Sequence, residues 1–111
     1  MNESVFVRCF GKSPTIKVLD FFLDNKLLDF PKSEVARQTE VSRMTLNEIW
    51  KNLERNGIIK KKRVIGRASL YQLNNSSAPV KKLTELDFIL TKKFNERIQR
   101  KEKVPALIRG K

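Results

Sequence analysis

The chain has 111 residues, of which 40% are hydrophobic, with 24 Lys and Arg against 12 Asp and Glu and a formal charge of +12. This length and composition suit one globular domain, and the charge favours a polyanionic partner, nucleic acid before an acidic membrane. One cysteine and no histidine exclude an internal disulfide, a cysteine-built zinc site, histidine metal ligands and a histidine general base.

The first twelve residues, 1–12, predict an N-terminal strand or extended arm. Residues 4–10 are rich in β-branched and aromatic side chains, the composition of short strands. Cys9 lies in this apolar run and is expected to be a buried structural thiol. The sequence has no stretch of 18 apolar residues and begins without a basic segment followed by an apolar one, so neither a transmembrane helix nor a signal peptide is expected.

Three helices are predicted in the next part of the chain. A serine–proline pair is typical of a helix start, and apolar residues at helical spacing predict the first helix over 14–24. Residues 27–30 are expected to form an apolar connector. A short second helix follows at about 33–39, with Ser33 as its candidate cap.

Ser42 is expected to cap the third helix, which runs to Asn56. Four apolar side chains of this helix form one stripe at helical spacing, namely Leu46, Ile49, Trp50 and Leu53. With that stripe turned inward, the residues that face outward most directly are Met44, Glu48, Lys51 and Arg55.

Two strand-like runs, 58–64 and 69–73, surround Gly66 and predict a β-hairpin. The segment 57–79, which includes the hairpin, carries five basic and no acidic residues, whereas residues 1–31 have a net charge of zero. This asymmetry indicates a defined surface for a polyanion in the second half of the chain.

A polar linker at 74–79 precedes a long C-terminal helix over 80–103, and a basic tail at 104–111 follows it. Six apolar residues lie along one side of this helix: Val80, Leu83, Leu86, Leu90, Phe94 and Ile98. Phe88 lies on roughly the opposite side, so apolar surface on a second face would also be exposed to water in a single chain. We therefore expect the helix to form a homodimer interface. The alternative is that the helix only completes the core of a monomer.

Two stretches carry a specific pattern, VSRMTLNEIW at 41–50 and RVIGRASLYQLN at 63–74, with Leu53-Glu54 and Gly57-Ile58 between them. Through them the chain resembles small archaeal winged helix-turn-helix transcriptional regulators, broadly of the MarR and ArsR type. The resemblance implies an α+β, mainly α fold with a winged helix-turn-helix domain over 13–74. It also implies binding of double-stranded DNA rather than enzymatic activity, with repression by blocking a promoter as the usual outcome.

A helix of about 15 residues fits the major groove of DNA, where its first half can reach base edges. The residues expected to contact DNA from this recognition helix are Ser42, Arg43, Met44, Thr45, Asn47, Glu48 and Lys51. Arg43 could pair with guanine and Asn47 with adenine. Glu48 would be repelled by DNA unless it reads a cytosine amine or orients Arg43 or Lys51. The alternative is an ordinary solvated helix face.

The hairpin is expected to be the wing, which contacts phosphates or the minor groove through Lys60, Lys61, Lys62, Arg63 and Arg67. Arg67, near the tip, is the candidate for minor-groove insertion. Lys32 and Ser33 open the short second helix, where free amides attract a phosphate, and are expected to anchor one. The alternative interpretation of the hairpin is a solvated edge strand, in which lysines prevent aggregation with other strands.

The sequence therefore predicts a cytoplasmic, nucleoid-associated homodimer that binds a palindromic site in double-stranded DNA and regulates transcription. No metal and no cofactor are expected, nor is a membrane partner. Two alternatives remain open. One is a non-regulatory role on DNA, in nucleoid architecture, plasmid partition or replication, and the other is a winged-helix module for protein interaction.

Overall fold

The structure is a computed structural model and describes residues 3–103, with side chains through residue 99. Over this range the fold is α+β and mostly helical, with a small antiparallel sheet. The helices are α1 (Val5–Phe10), α2 (Pro14–Asp24), α3 (Lys32–Thr39), α4 (Arg43–Arg55) and α5 (Ala78–Lys103), and the strands are β1 (Asp29–Pro31), β2 (Ile59–Ile65) and β3 (Ala68–Leu73). The predicted basic tail, 104–111, lies outside this range.

Helices α2 and α4 confirm the predictions made from capping and periodicity. The Ser13 hydroxyl accepts a hydrogen bond from the Ile16 amide at 3.3 Å, and α2 covers the predicted residues. The Ser42 hydroxyl accepts from the Thr45 amide at 3.2 Å. All four residues of the predicted apolar stripe of α4 are buried: Leu46, Ile49, Trp50 and Leu53.

The predicted N-terminal strand is wrong, because residues 5–10 form helix α1. The Ser4 hydroxyl caps this helix by accepting from the Val7 amide at 3.1 Å, and it donates to the Asp20 carboxylate of α2 at 2.6 Å. Phe6 is buried in the core, so the cap and the tertiary contacts outweigh the β propensity of this run. Cys9 is exposed rather than buried, and it lies at the edge of an open groove between α1 and α5.

Two expectations between α2 and α3 are also corrected. The connector at 27–30 includes part of β1, whose Phe30 packs edge-on against Phe21 at 4.7 Å between ring centroids. Ser33 is not the cap of α3, because the N-cap position is Pro31 and makes no side-chain hydrogen bond. Pro31 is tolerated in β1 because this strand lies at the edge of the sheet.

The sheet has the order β1-β3-β2, and both pairings are antiparallel. The turn between β2 and β3 is Gly66-Arg67, and Gly66 has φ 60°, as in two-residue hairpin turns that begin with glycine. The predicted hairpin is thereby confirmed. The pairing register shifts between Lys61 and Arg63, so Lys62 is the extra residue of a β-bulge.

The core lies where α2, α3 and α4 meet one face of the sheet. Trp50 is its central aromatic residue, 5.7 Å from Phe22 and 5.1 Å from Tyr71 between ring centroids. Helix α5 begins at Ala78, two residues earlier than predicted, because the Ser77 hydroxyl accepts from the Val80 amide at 3.3 Å. Val80 is fully buried in this core, so the start of α5 is part of the domain.

Candidate nucleic-acid interface

The face of α4 opposite the core is exposed along its length. Every residue predicted to contact DNA from this helix is exposed, namely Ser42, Arg43, Met44, Thr45, Asn47, Glu48 and Lys51. Met44 has 81% of its surface exposed, which is unusual for a large apolar side chain and provides an apolar contact at the start of the helix. The face therefore offers cationic, amide and apolar groups together.

Two hydroxyls on this face are already bonded to each other. The Ser42 hydroxyl donates to the Thr45 Oγ1 at 3.0 Å and also accepts from the Thr45 amide. Both side chains thus stabilise the start of α4. A phosphate at this position would have to share these hydroxyls with the cap.

Lys32 and Asn47 come together although they are far apart in the sequence. The Lys32 Nζ donates to the Asn47 Oδ1 at 3.1 Å and lies 5.7 Å from the Trp50 ring centroid. An adenine paired with Asn47 would have to share this oxygen with Lys32, since the bidentate contact uses both the oxygen and the nitrogen of the amide. Lys32 and Asn47 are better suited to bind a hydrogen-bond acceptor of DNA than an adenine edge, because the Lys32 ammonium and the Asn47 Nδ2 are both donors.

The start of α3 leaves its first amides without a side-chain cap, because Pro31 has no donor or acceptor to offer them. Lys32 is half-buried there and Ser33 is exposed. The free amides and the Lys32 ammonium create a local positive potential beside α4.

The hairpin cations differ in whether a partner already holds them. Lys60, Lys61, Lys62 and Arg67 are exposed and make no ion pair within residues 3–99. Arg63, by contrast, donates to both carboxylate oxygens of Asp29, with Nε–Oδ2 2.8 Å and Nη2–Oδ1 3.3 Å. This partner could not be predicted from the sequence, because Asp29 lies in the short strand β1, whose pairing partner β3 is far away along the chain.

The bulge decides which face of the sheet carries each cation. Lys61 pairs with Tyr71, whose ring contacts Trp50, so Lys61 lies on the α4 side of the sheet. Because of the extra residue, Arg63 pairs with Leu70 and lies on the opposite face, as Asp29 does. If Lys62 paired regularly with Leu70 instead, alternation would place Arg63 on the same face as Lys61.

Glu48 makes no ion pair in the part of the chain with described side chains. The expectation that it orients Arg43 or Lys51 therefore has no support in the geometry. The exposed carboxylate remains an acceptor, for which a cytosine amine is the matching base group.

Most of the predicted dimer stripe of α5 faces its own chain. Val80 is completely buried and Leu83 packs against the core. Leu90 and Phe94 are half-buried and form a groove with α1, where the Arg8 guanidinium carbon lies 5.3 Å from the Phe94 ring centroid. Val80 is thus wrong as a dimer contact, whereas Leu86 and Ile98, 38% and 40% exposed, still have free surface.

No protein-family model, curated protein sequence or solved structure matches this chain. None of the described helices is both long and apolar enough to span a bilayer. Among the residues whose side chains are described, no group of three or more Cys, Asp and Glu side chains is arranged so that it could hold a metal ion.

Proposed function

We propose that this chain is a winged helix-turn-helix protein that binds double-stranded DNA in a sequence-specific manner. In this proposal α3 and α4 are the helix-turn-helix, α4 is the recognition helix and the β2–β3 hairpin is the wing. The proposal is supported by the order of the elements and by the exposed polar face of α4. Tight αL geometry at Glu40, with φ 61°, makes the short turn between the two helices.

The single observation that carries the proposal is the set of donors around the start of α4. The exposed face of α4 adjoins Lys32 through the bond to Asn47, and Lys61 projects from the sheet on the same side as α4. In a major groove, α4 would read base edges while Lys32 and the wing lysines neutralise phosphates. Phosphate neutralisation supplies most of the affinity and α4 supplies the sequence preference.

We further propose that the protein acts as a homodimer on a palindromic site and regulates transcription, by default as a repressor that occludes a promoter. A two-fold dimer presents two recognition helices to half-sites about one helical turn apart. This role rests on the resemblance of residues 14–74 to small winged-helix regulators together with the basic, acid-free segment 57–79.

The test is selection from a random duplex library by the purified full chain at physiological salt, followed by sequencing of the retained DNA. An enriched inverted repeat is expected. Tight, steeply salt-dependent retention of all sequences would instead indicate an architectural role on DNA. Failure to retain any duplex would overturn DNA binding and favour a protein-interaction module.

Two single variants separate base reading from phosphate binding on the selected site. Arg43→Ala should relax the preference at one base pair by about 1–3 kcal/mol, because it removes a contact to a base edge. Lys62→Ala should weaken binding to all DNA sequences alike, because it removes a phosphate contact. It should also reduce the dependence of log affinity on log salt concentration by about one. Equal effects of both variants on all sequences would contradict the assignment of α4 as the reading helix.

A further inference from the structure

The face of α5 that points away from the domain carries an exposed aromatic side chain. Phe88 is 67% exposed and the neighbouring Ile89 is 43% exposed. On the opposite face, Val80 is buried in the core and Leu83 packs against it. The exposed apolar surface of Phe88 and Ile89 is therefore not needed for the core of the single chain.

Four charged residues lie on the same face as Phe88 in an alternating order. At about 100° per residue, Lys81, Glu85, Lys92 and Glu96 all fall in the arc of the helix circumference between Phe88 and Ile89. All four are exposed. Phe88, Lys92 and Glu96 line one shallow depression with Thr91, Asn95 and Gln99. The outer face of α5, defined by residues 81, 85, 88, 89, 92 and 96, thus reads positive, negative, apolar, positive, negative.

This order is complementary to itself when the helix direction is reversed. In an antiparallel pair centred between Phe88 and Ile89, Lys81 opposes Glu96 of the second copy and Glu85 opposes Lys92 of the second copy. Phe88 then meets Ile89 of the second copy, so each apolar residue covers the other. A parallel pair would place like charges opposite each other, which is unfavourable.

From this charge and apolar pattern we infer that the outer face of α5 binds a second copy of this chain, with the two helices antiparallel and related by a two-fold axis near Phe88. The interface is isologous, as two-fold symmetry requires. It replaces the predicted stripe, whose first residues are buried in their own domain. The inference deepens the proposed function, because the role of the pair on DNA rests on that proposal, although pairing itself needs no DNA.

The experiment is sedimentation equilibrium of the full chain without DNA, using charge reversals at one opposed pair. The wild-type chain is expected to form a dimer as its concentration rises. Glu85→Lys and Lys92→Glu should each remain monomeric over the same range, because each places like charges opposite each other twice. Their equimolar mixture should form a heterodimer, since both opposed pairs are then of opposite charge.

The double variant Glu85→Lys/Lys92→Glu should also form a homodimer, because it exchanges the charges without changing their match. Lys93→Glu is the matched control, since it makes the same charge change on the adjacent residue, outside the outer face. A wild-type chain that stays monomeric, or a mixture of the single variants that stays monomeric, would overturn the inference. Circular dichroism checks that each variant is folded.

Failure of this inference can be told apart from failure of the proposed function. The monomeric variants keep an unchanged α4 and wing, so they should still bind a single half-site in the library selection. Loss of dimerisation with retained half-site binding would support both proposals. A wild-type chain that dimerises as expected but retains no duplex would leave the interface standing and remove the DNA-binding proposal.

Discussion

Glu40 has a backbone conformation that few side chains adopt. Its φ is 61°, and it is the one non-glycine residue with positive φ within the described range. Its amide donates to the Ala36 carbonyl at 2.9 Å and so ends α3. The left-handed conformation of a residue with an ordinary side chain lowers stability by about 1 kcal/mol. Here the strained residue lies in the turn that sets the angle between α3 and α4.

Glu40→Gly is therefore expected to raise the free energy of unfolding by about 0.5–1 kcal/mol, because glycine adopts this conformation without strain. Urea unfolding followed by circular dichroism measures the change. Gly57→Ala is the matched opposite, since Gly57 has φ 73° and open space around its Cα, and it should lower stability by a similar amount. A loss of stability in Glu40→Gly would show that the side chain, not the backbone, stabilises the turn.

At the scale of single elements, capping residues and apolar periodicity predict a helix correctly where both point to the same residues. Ser13 and Ser42 cap their helices as the sequence predicted, because the cap and the apolar period point to the same residues. For α1 the β-branched and aromatic run indicated a strand, and the contact of Ser4 with Asp20, sixteen residues away, could not be read from local pattern. β1 could not be predicted for the same reason, since its pairing partner β3 is distant in sequence.

Helix α1 is expected to depend on Ser4. Ser4→Ala removes both the cap and the hydrogen bond to Asp20, and should lower the free energy of unfolding by about 1–2 kcal/mol. Ser13→Ala is the matched control, because Ser13 makes the same kind of cap without a bond to another element. The loss in Ser4→Ala should exceed the loss in Ser13→Ala, and equal losses would mean that the bond to Asp20 contributes nothing.

Under the proposed function, the hairpin is expected to bind DNA more tightly when Arg63 is released from Asp29. Asp29→Asn removes a negative charge and one partner of the Arg63 pair, so the salt slope of DNA binding should become steeper by up to about 0.9. Glu3→Gln is the control, since it releases Lys12 from an exposed ion pair next to α1. Fluorescence anisotropy over a series of salt concentrations measures the DNA affinity and the salt slope of both variants. An equal gain in affinity for Glu3→Gln would show that only the net charge of the chain matters.

At the scale of the whole molecule, the charge is segregated. The sequence predicted the neutral first half and the basic second half directly from composition, but it could not predict which charges meet. Three carboxylates come close together where α2 meets α5. The pKa of Asp87 is raised, first by burial and also by Asp20, while Lys26 acts in the opposite sense. The pKa of Asp24 is raised by burial and by repulsion from Asp20 and Asp87.

A carboxyl whose pKa is higher in the folded chain destabilises the fold once it is ionised, so this cost is present at neutral pH and disappears as the pH falls through the folded pKa. Asp87→Asn should therefore raise stability at pH 7 by no more than about 1 kcal/mol, since the cluster is partly solvated. The gain should vanish below about pH 4. Thermal unfolding across pH measures it, with Glu54→Gln on α4 as the control. A gain that does not change with pH would mean that packing, not charge, is responsible.

The bulge at Lys62 lets the hairpin carry one extra cation without disturbing the rest of the strand. Lys62 lies outside the regular pairing, so Arg63 and the residues beyond it keep the partners and faces of a regular strand. Loss of the Lys62 codon would leave Arg63 directly after Lys61, still paired with Leu70 and still on the side of the sheet where Asp29 lies. In evolution, a one-residue deletion at this position would thus remove one lysine and leave the two faces of the wing unchanged.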